Sequence, residues 1–332
     1  MAKYIFYPGC SLTRNARAYL DSLVAINDRL GIQLDEIDDW NCCGATEYMA
    51  IHTIGAWALI GRNLAIAEQQ ANGSRTVMAP CSACYLNLAK TDSYMQKDAK
   101  LNEQVNAALA AGNLHYSAGS LEIRHLLDVI VNDVGLDAVK AEVVRPLSGL
   151  RIAPYYGCMI ARPDPEHRWD DVEHPMALDR LLEALGAQVI DFPMKTHCCG
   201  GHMTQINTPV AYDLIRRLVH TASEYRADVI AVLCPMCQLN LDAYQPDMNR
   251  FFNTNYQIPI LYFTQLMGLA FGLEPEQLGF GTEFVDARPA LRRIDIEVAV
   301  AETPAGDAAP KRVKKVKEGL PMPRMPEDEE TS

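Results

Sequence analysis

The sequence is short of positive charge: 30 Lys and Arg stand against 42 Asp and Glu, a formal net charge of −12. A general binder of nucleic acid or of an anionic membrane surface needs a basic face, so this balance argues against both. Long apolar runs are missing too. The longest, 258–273, is interrupted by Pro, Thr, Gln and Gly and is too short and broken to span a bilayer. The opening MAKYIFYPGC lacks the charged and apolar blocks of a secretory signal. There is no glycine fingerprint for a flavin or nicotinamide dinucleotide, and no C-x2-C-x2-C-x3-C-P run of a bacterial ferredoxin. These absences predict a cytoplasmic protein with no transmembrane segment and no nucleic-acid partner. Its 332 residues suggest about two domains.

Cysteine is what the chain has in plenty. In a long, acidic chain without an export signal, ten thiols point to metal or redox chemistry rather than structural bridges. They fall into two sets of five. Cys10, Cys42, Cys43, Cys81 and Cys84 read C-x31-CC-x37-C-x2-C; Cys158, Cys198, Cys199, Cys234 and Cys237 read C-x39-CC-x34-C-x2-C. The surroundings repeat as well. Tyr7-Pro8-Gly9-Cys10 matches Tyr155-Tyr156-Gly157-Cys158, and Cys43-Gly44 matches Cys199-Gly200. Cys81-Ser82-Ala83-Cys84-Tyr85-Leu86-Asn87-Leu88 matches Cys234-Pro235-Met236-Cys237-Gln238-Leu239-Asn240-Leu241. This is an internal duplication with drift in loop length.

Each repeat reads strand, helix, strand, cysteine loop, helix, strand, helix. Residues 3–8, 32–37 and 75–79 are short and apolar enough for strands; 13–30, the stretch up to 71, and the run opening at Cys81 carry helical spacing. The second repeat has strands at 149–155, 188–191 and 228–233, with helices at 175–185 and 208–225. The predicted fold is α/β, with two pseudo-symmetric repeats, each a small parallel sheet flanked by helices. Ligands gather beyond the carboxyl ends of such strands, where Cys10, Cys81, Cys158 and Cys234 fall. The expected domains are 1–145 and 146–285, followed by an extended or disordered tail, 286–332. Within that tail, 302–332 holds five prolines, the basic run Lys311–Lys317 and an acidic end, with almost no apolar bulk.

A structural zinc takes four ligands, usually from two C-x2-C pairs; here one pair is adjacent and a fifth thiol would be spare. An ordinary cubane also takes four thiolates. Five, including a vicinal pair, suit an iron–sulfur assembly in which one sulfur bridges two irons. Gly44 and Gly200 would let backbone N–H groups approach its sulfur. A zinc-stapled scaffold stays open as an alternative at this point.

The doubled CCG pattern resembles the cysteine-rich domains of the heterodisulfide reductase B-subunit family, over about residues 1–275 and all ten cysteines. The resemblance implies two noncubane [4Fe-4S] clusters, one held by each set of five. It implies a disulfide split between them, each centre supplying one electron. The partners it implies are a ferredoxin-like iron–sulfur subunit and a flavin-containing subunit. The substrate would be a disulfide or carrier-bound, lipoyl-type sulfur. Methanogen members often carry Pro after the first vicinal pair; Gly44 in that place points to the sulfur-oxidising branch. Other relatives relay electrons in fumarate-reductase-like or membrane-associated complexes, which is the alternative function.

Among other residues, Cys43, Cys199 and His197 are the expected catalytic set, with His197 donating to cluster sulfur or protonating a leaving thiolate. Arg14 and Arg162, each four residues after the first cysteine of its repeat, compensate an anionic cluster or bind an acidic substrate, or else pair with a local carboxylate. Lys195 and His202 add positive potential to the second loop. His125, His174 and His220 read as surface or core histidines, Trp40 and Trp57 as core, and Met236 as cover or packing.

Overall fold

The structure, a computed structural model, describes residues 2–45, 48–71, 73–161 and 169–294. The first repeat carries strands β1 (Ala2–Phe6), β2 (Ile32–Glu36), β3 (Thr76–Ala79) and β4 (Glu122–His125), all parallel, in the order β2-β1-β3-β4. The second repeats this with β5 (Arg151–Tyr155), β6 (Gln188–Val189), β7 (Val229–Val232) and β8 (Ile260–Tyr262), in the order β6-β5-β7-β8. The α/β class and the duplication are as expected. The central strands are apolar because helices cover both faces: β7 is buried at every residue and β5 at four of five.

Each sheet has a fourth strand that the pattern reading lacked. Glu122–His125 is four residues with two charged ones, too short to register as a buried strand. Ile260–Tyr262 lies inside an apolar stretch that runs straight into the helix Phe263–Ala270, so its period is masked.

Strand order reverses between β1 and β3, and between β5 and β7. That is the crevice where α/β sheets place their ligands. Phe6 lies opposite Met78 and Tyr155 opposite Val232, so neighbouring strands end nearly level. Cys10 and Cys81 therefore emerge side by side, as do Cys158 and Cys234. Helix boundaries follow local chemistry. Gly31 closes Arg17–Leu30 in a left-handed conformation, and Cys81 and Cys234 stand at the N-caps of Ser82–Lys97 and Pro235–Ala243.

The repeats share one core. The helix Arg17–Leu30 packs on Phe263–Ala270 of the second repeat, and Ala177–Ala184 packs on Leu136–Ala141 of the first. Each repeat thus covers the end of the other. Of the expected tail, residues 286–294 are described: Arg288–Leu291 is helical, and Ala287, Ala290 and Ile294 are buried. The rest of the tail, with its basic run, lies outside the described residues.

Candidate functional site

No disulfide joins the ten cysteines, and they form a string across the carboxyl edges of both sheets. In the first repeat the Cys10 and Cys42 sulfurs lie 3.4 Å apart, and the Cys43 and Cys84 sulfurs 3.4 Å. In the second, Cys199 and Cys237 are 3.5 Å apart. The sets meet in the middle, where the sulfurs of Cys81 and Cys234 approach to 3.9 Å. Cys10, Cys42 and Cys198 are exposed and Cys158 half-buried, while the other six are buried. Each set therefore runs from surface to interior.

The vicinal pairs are held in the same way twice. The Tyr7 hydroxyl donates to the Asn41 carbonyl at 2.8 Å, and the Tyr155 hydroxyl to the His197 carbonyl at 2.6 Å. Burial first, then the neighbouring thiols, push both phenols far above their ordinary range, so they stay protonated as donors. One residue beyond each pair's start, Asn87 Nδ2 donates to the Cys43 carbonyl and Asn240 Nδ2 to the Cys199 carbonyl, both at 3.1 Å. Gly44 and Gly200 take φ of +69° and +95°, and their N–H groups face the Cys42 and Cys198 sulfurs at 3.4 Å. Glycine is required in another place too. Gly9 (φ +72°) and Gly157 (φ +70°) pass so close to Cys84 and Cys237 that an added Cβ would stand 2.9 and 3.1 Å from sulfur.

The thiols interact electrostatically. Hydrogen bonds from Cys10 and Cys43 hold the Cys42 thiol far down, to about 2, with the Gly44 and Ala45 N–H groups adding to them. The same contact with Cys42 pushes Cys43 up to about 12. Across the seam the pattern continues: Cys234 is pushed down by Cys237 and Cys81, while Cys81 is pushed up by Cys234. Five packed thiols cannot all ionise beside one another without a cation. A polynuclear iron centre supplies that charge and deprotonates its ligands. Among the described residues no three ligating side chains are arranged about a single ion. A string of sulfurs, with two glycines admitting close approach, fits a centre larger than one ion. The ten cysteines are thus a fitting donor set for the expected clusters.

The other expected residues are placed as follows. His197 is exposed; its ring makes no hydrogen bond among the described residues, and its carbonyl takes the Tyr155 hydroxyl. Arg14 is exposed, and its guanidinium makes no hydrogen bond or ion pair among the described residues. Arg162 lies outside them. Lys195 is buried, with Nζ 3.3 Å from Asp179 Oδ1, and Tyr156 donates to the same carboxylate at 2.5 Å. Trp57 and His125 are buried, and Trp40 packs edge-on to Tyr7 and donates to Glu36 at 2.9 Å. Pattern reading missed Tyr7, Tyr155, Asn87, Asn240, Gly9 and Gly157 as site residues. The signal was their recurrence at matching offsets from the cysteines.

A family model described as "Cysteine-rich domain", CCG, matches residues 4–89 and 152–242. The chain belongs to the CCG cysteine-rich-domain family. It is 34% identical to the 8-methylmenaquinol:fumarate reductase membrane anchor subunit of Wolinella succinogenes, over 86% of this chain and 98% of that protein. It is 27% identical to the B subunit of a ferredoxin/F420H2-dependent CoB-CoM heterodisulfide reductase of Methanosarcina acetivorans, over 92% of this chain and 99% of that protein. A protein of Archaeoglobus profundus, described as like the heterodisulfide reductase B subunit, is 29% identical over 84% of this chain and 93% of its own length. The expected likeness to the B subunit is therefore borne out. A solved structure of a hypothetical protein from Helicobacter pylori shares the fold, with a TM-score of 0.67 at 15% identity. That match covers 86% of this chain and 52% of the other, so this CCG chain spans about half its length. No helix among the described residues is long and apolar enough to cross a membrane.

Proposed function

We propose that this CCG protein is the iron–sulfur subunit of a cytoplasmic heterodisulfide reductase-like complex, with domains at 1–145 and 146–285, acting on disulfide, thiol or carrier-bound sulfur. The observation that carries the reading is the meeting of two complete five-thiol sets at Cys81 and Cys234, 3.9 Å apart. Cleaving a disulfide takes two electrons. When bound, a noncubane [4Fe-4S] cluster in each repeat would supply one-electron redox chemistry from either side of one bond. Cys10, Cys42, Cys43, Cys81 and Cys84 would hold the first, and Cys158, Cys198, Cys199, Cys234 and Cys237 the second. The chain's own contribution is geometric. Tyr7 with Asn87, and Tyr155 with Asn240, fix the vicinal pairs, while Gly44 and Gly200 present N–H groups to sulfur. Arg14 stands four residues after Cys10 with an uncommitted guanidinium among the described residues, suited to an acidic substrate. Electrons would come from a ferredoxin-like iron–sulfur subunit and a flavin-containing subunit.

The second reading has its own support in the 34% identity to a fumarate reductase membrane anchor subunit. There the chain would relay electrons and touch no substrate. Turnover by the assembled complex separates the two. The substrates are a heterodisulfide of two low-molecular thiols and a lipoyl-bearing carrier, each run with intact and Cys43→Ser protein. The sulfur reading expects turnover of at least one substrate, abolished by Cys43→Ser; comparable turnover by the one-site variant hands the protein to the relay reading.

A further inference from the structure

The seam between the repeats holds a buried polar cluster that the thiols themselves do not form. Tyr19, fully buried on Arg17–Leu30, reaches two carbonyls with one hydroxyl: Pro80 at 3.0 Å and Leu233 at 3.4 Å. Pro80 precedes Cys81, and Leu233 precedes Cys234. One side chain of the first repeat therefore tethers the backbone just before both thiols that meet across the seam. A carbonyl and the next residue's nitrogen share one rigid peptide plane, so fixing the carbonyl fixes where the cysteine begins. The Tyr19 ring is itself clamped, stacked on Tyr262 of the second repeat with centroids 4.4 Å apart and planes 10° from parallel.

His125 approaches the same point. It is fully buried, and its Nδ1 accepts from the Leu127 N–H at 3.1 Å, which leaves the ring proton on Nε2. Nε2 lies 3.5 Å from the hydroxyl of Ser82, the residue that follows Cys81. Trp169 of the second repeat stacks over it with planes 5° from parallel.

We propose that Tyr19, backed by His125, is a positioning residue of the paired site: its hydroxyl sets how closely the Cys81 and Cys234 thiols approach, and with them the two five-thiol sets. The consequence for electron delivery rests on the function proposed above; the tether does not. Ordinary seam packing is distinguishable from it. Ser22 Oγ and Thr264 Oγ1 also cross the seam, 2.7 Å apart and buried, but they join helix to helix and touch no residue beside a thiol.

The test is thiol mapping on the full-length chain, freed of metal by chelator and reductant and then exposed to diamide. This azo compound takes two electrons and two protons from each thiol pair and becomes the hydrazine. Peptide mass spectrometry counts the Cys81–Cys234 link against the Cys43–Cys84 link, an internal standard within one repeat. In the wild type both form. Tyr19→Phe, which keeps the ring stack, lowers the ratio about fivefold, the factor expected for one buried hydrogen bond; His125→Asn lowers it less, and Ser22→Ala leaves it unchanged. The proposal is overturned by an unchanged ratio in Tyr19→Phe, by an equal fall in Ser22→Ala, or by no inter-repeat link in the wild type. None of these outcomes depends on iron, so failure of the tether and failure of the cluster reading are seen separately.

Discussion

In the first repeat the segment before the vicinal cysteines is tied by two asparagines and a half-buried arginine paired with Asp39. Asn41 N–H donates to Asn63 Oδ1 at 2.8 Å, Asn63 Nδ2 returns to the Asn41 carbonyl at 3.0 Å, and Arg62 grips Asp39 and Asn41. In the second repeat this network does not recur: Leu218 stands where Asn63 does, and Arg217, at the position of Arg62, pairs with Asp213 instead. His197 replaces Asn41 with an exposed ring, and the segment is anchored instead by the buried Lys195–Asp179 pair with Tyr156. The Lys195 carbonyl accepts both Tyr156 and Gly157 N–H groups, linking that pair to the turn that leads into Cys158. The tyrosine, asparagine and glycine bonds around the cysteine pairs recur in both halves, and only Asn41, donating from Nδ2 to the Cys42 carbonyl at 3.0 Å, adds one without a counterpart among the described residues. Duplication has kept what contacts the thiols and let the supports behind them diverge.

The largest effect belongs to the shared part. Cys43→Ser or Cys199→Ser removes one thiol from one set, and is expected to abolish two-electron turnover while leaving the other repeat's spectroscopic signal intact. Loss of both signals from either change would mean that the sets share ligands. Next comes a support present only in the second repeat. Lys195→Met leaves Asp179 buried without its cation, and the unfolding free energy should fall by about 3–5 kcal/mol; Arg62→Met, at a half-buried support whose partner Asp39 is exposed, should cost about 1 kcal/mol or less. Equal losses in urea melts would show that the supports are equivalent after all.

The third contrast is at the seam. Burial lowers the His125 pKa to about 4, while the structurally equivalent end of β8 carries Tyr262. The unfolded chain protonates this histidine near 6.5 and the folded one does not, so stability falls as pH drops from about 6.5 to about 4. The loss amounts to roughly 3 kcal/mol at the acid end. His125→Gln should flatten that part of the stability profile; an unchanged acid slope would contradict it. The smallest contrast concerns the asparagines. Asn240 donates to the Cys199 carbonyl and to the Gly201 carbonyl at 2.7 Å, whereas among the described residues Asn87 donates to the Cys43 carbonyl alone. Asn240→Ala should cost about 2 kcal/mol and Asn87→Ala about 1 kcal/mol in thermal melts.

Much of this was legible without coordinates, for identifiable reasons. The ten cysteines announce the duplication because chemistry pins their spacing relative to strand ends, and the buried strands announce themselves by unbroken apolar character. The tyrosines and asparagines around the pairs recur visibly, yet recurrence does not say which carbonyl a side chain reaches. Gly9 and Gly157 were visible as repeated letters; their reason, a sulfur 2.9 and 3.1 Å from where a Cβ would stand, is tertiary. The roles of Tyr19 and His125 at the seam were not legible, and His125 read only as a surface or core histidine. Both residues act at the junction of the halves, where no internal repeat offers a second copy for comparison. Lys195 read as a loop cation, because nothing in one dimension shows Asp179 buried beside it.

Under the proposed function both five-thiol sets hold iron and sulfide. Metal and acid-labile sulfide analysis of anaerobically purified full-length protein tests it most directly. About 8 iron and 8 sulfide per chain, two centres of four irons each, are expected; about two zincs with no sulfide would mean that the thiols hold zinc instead.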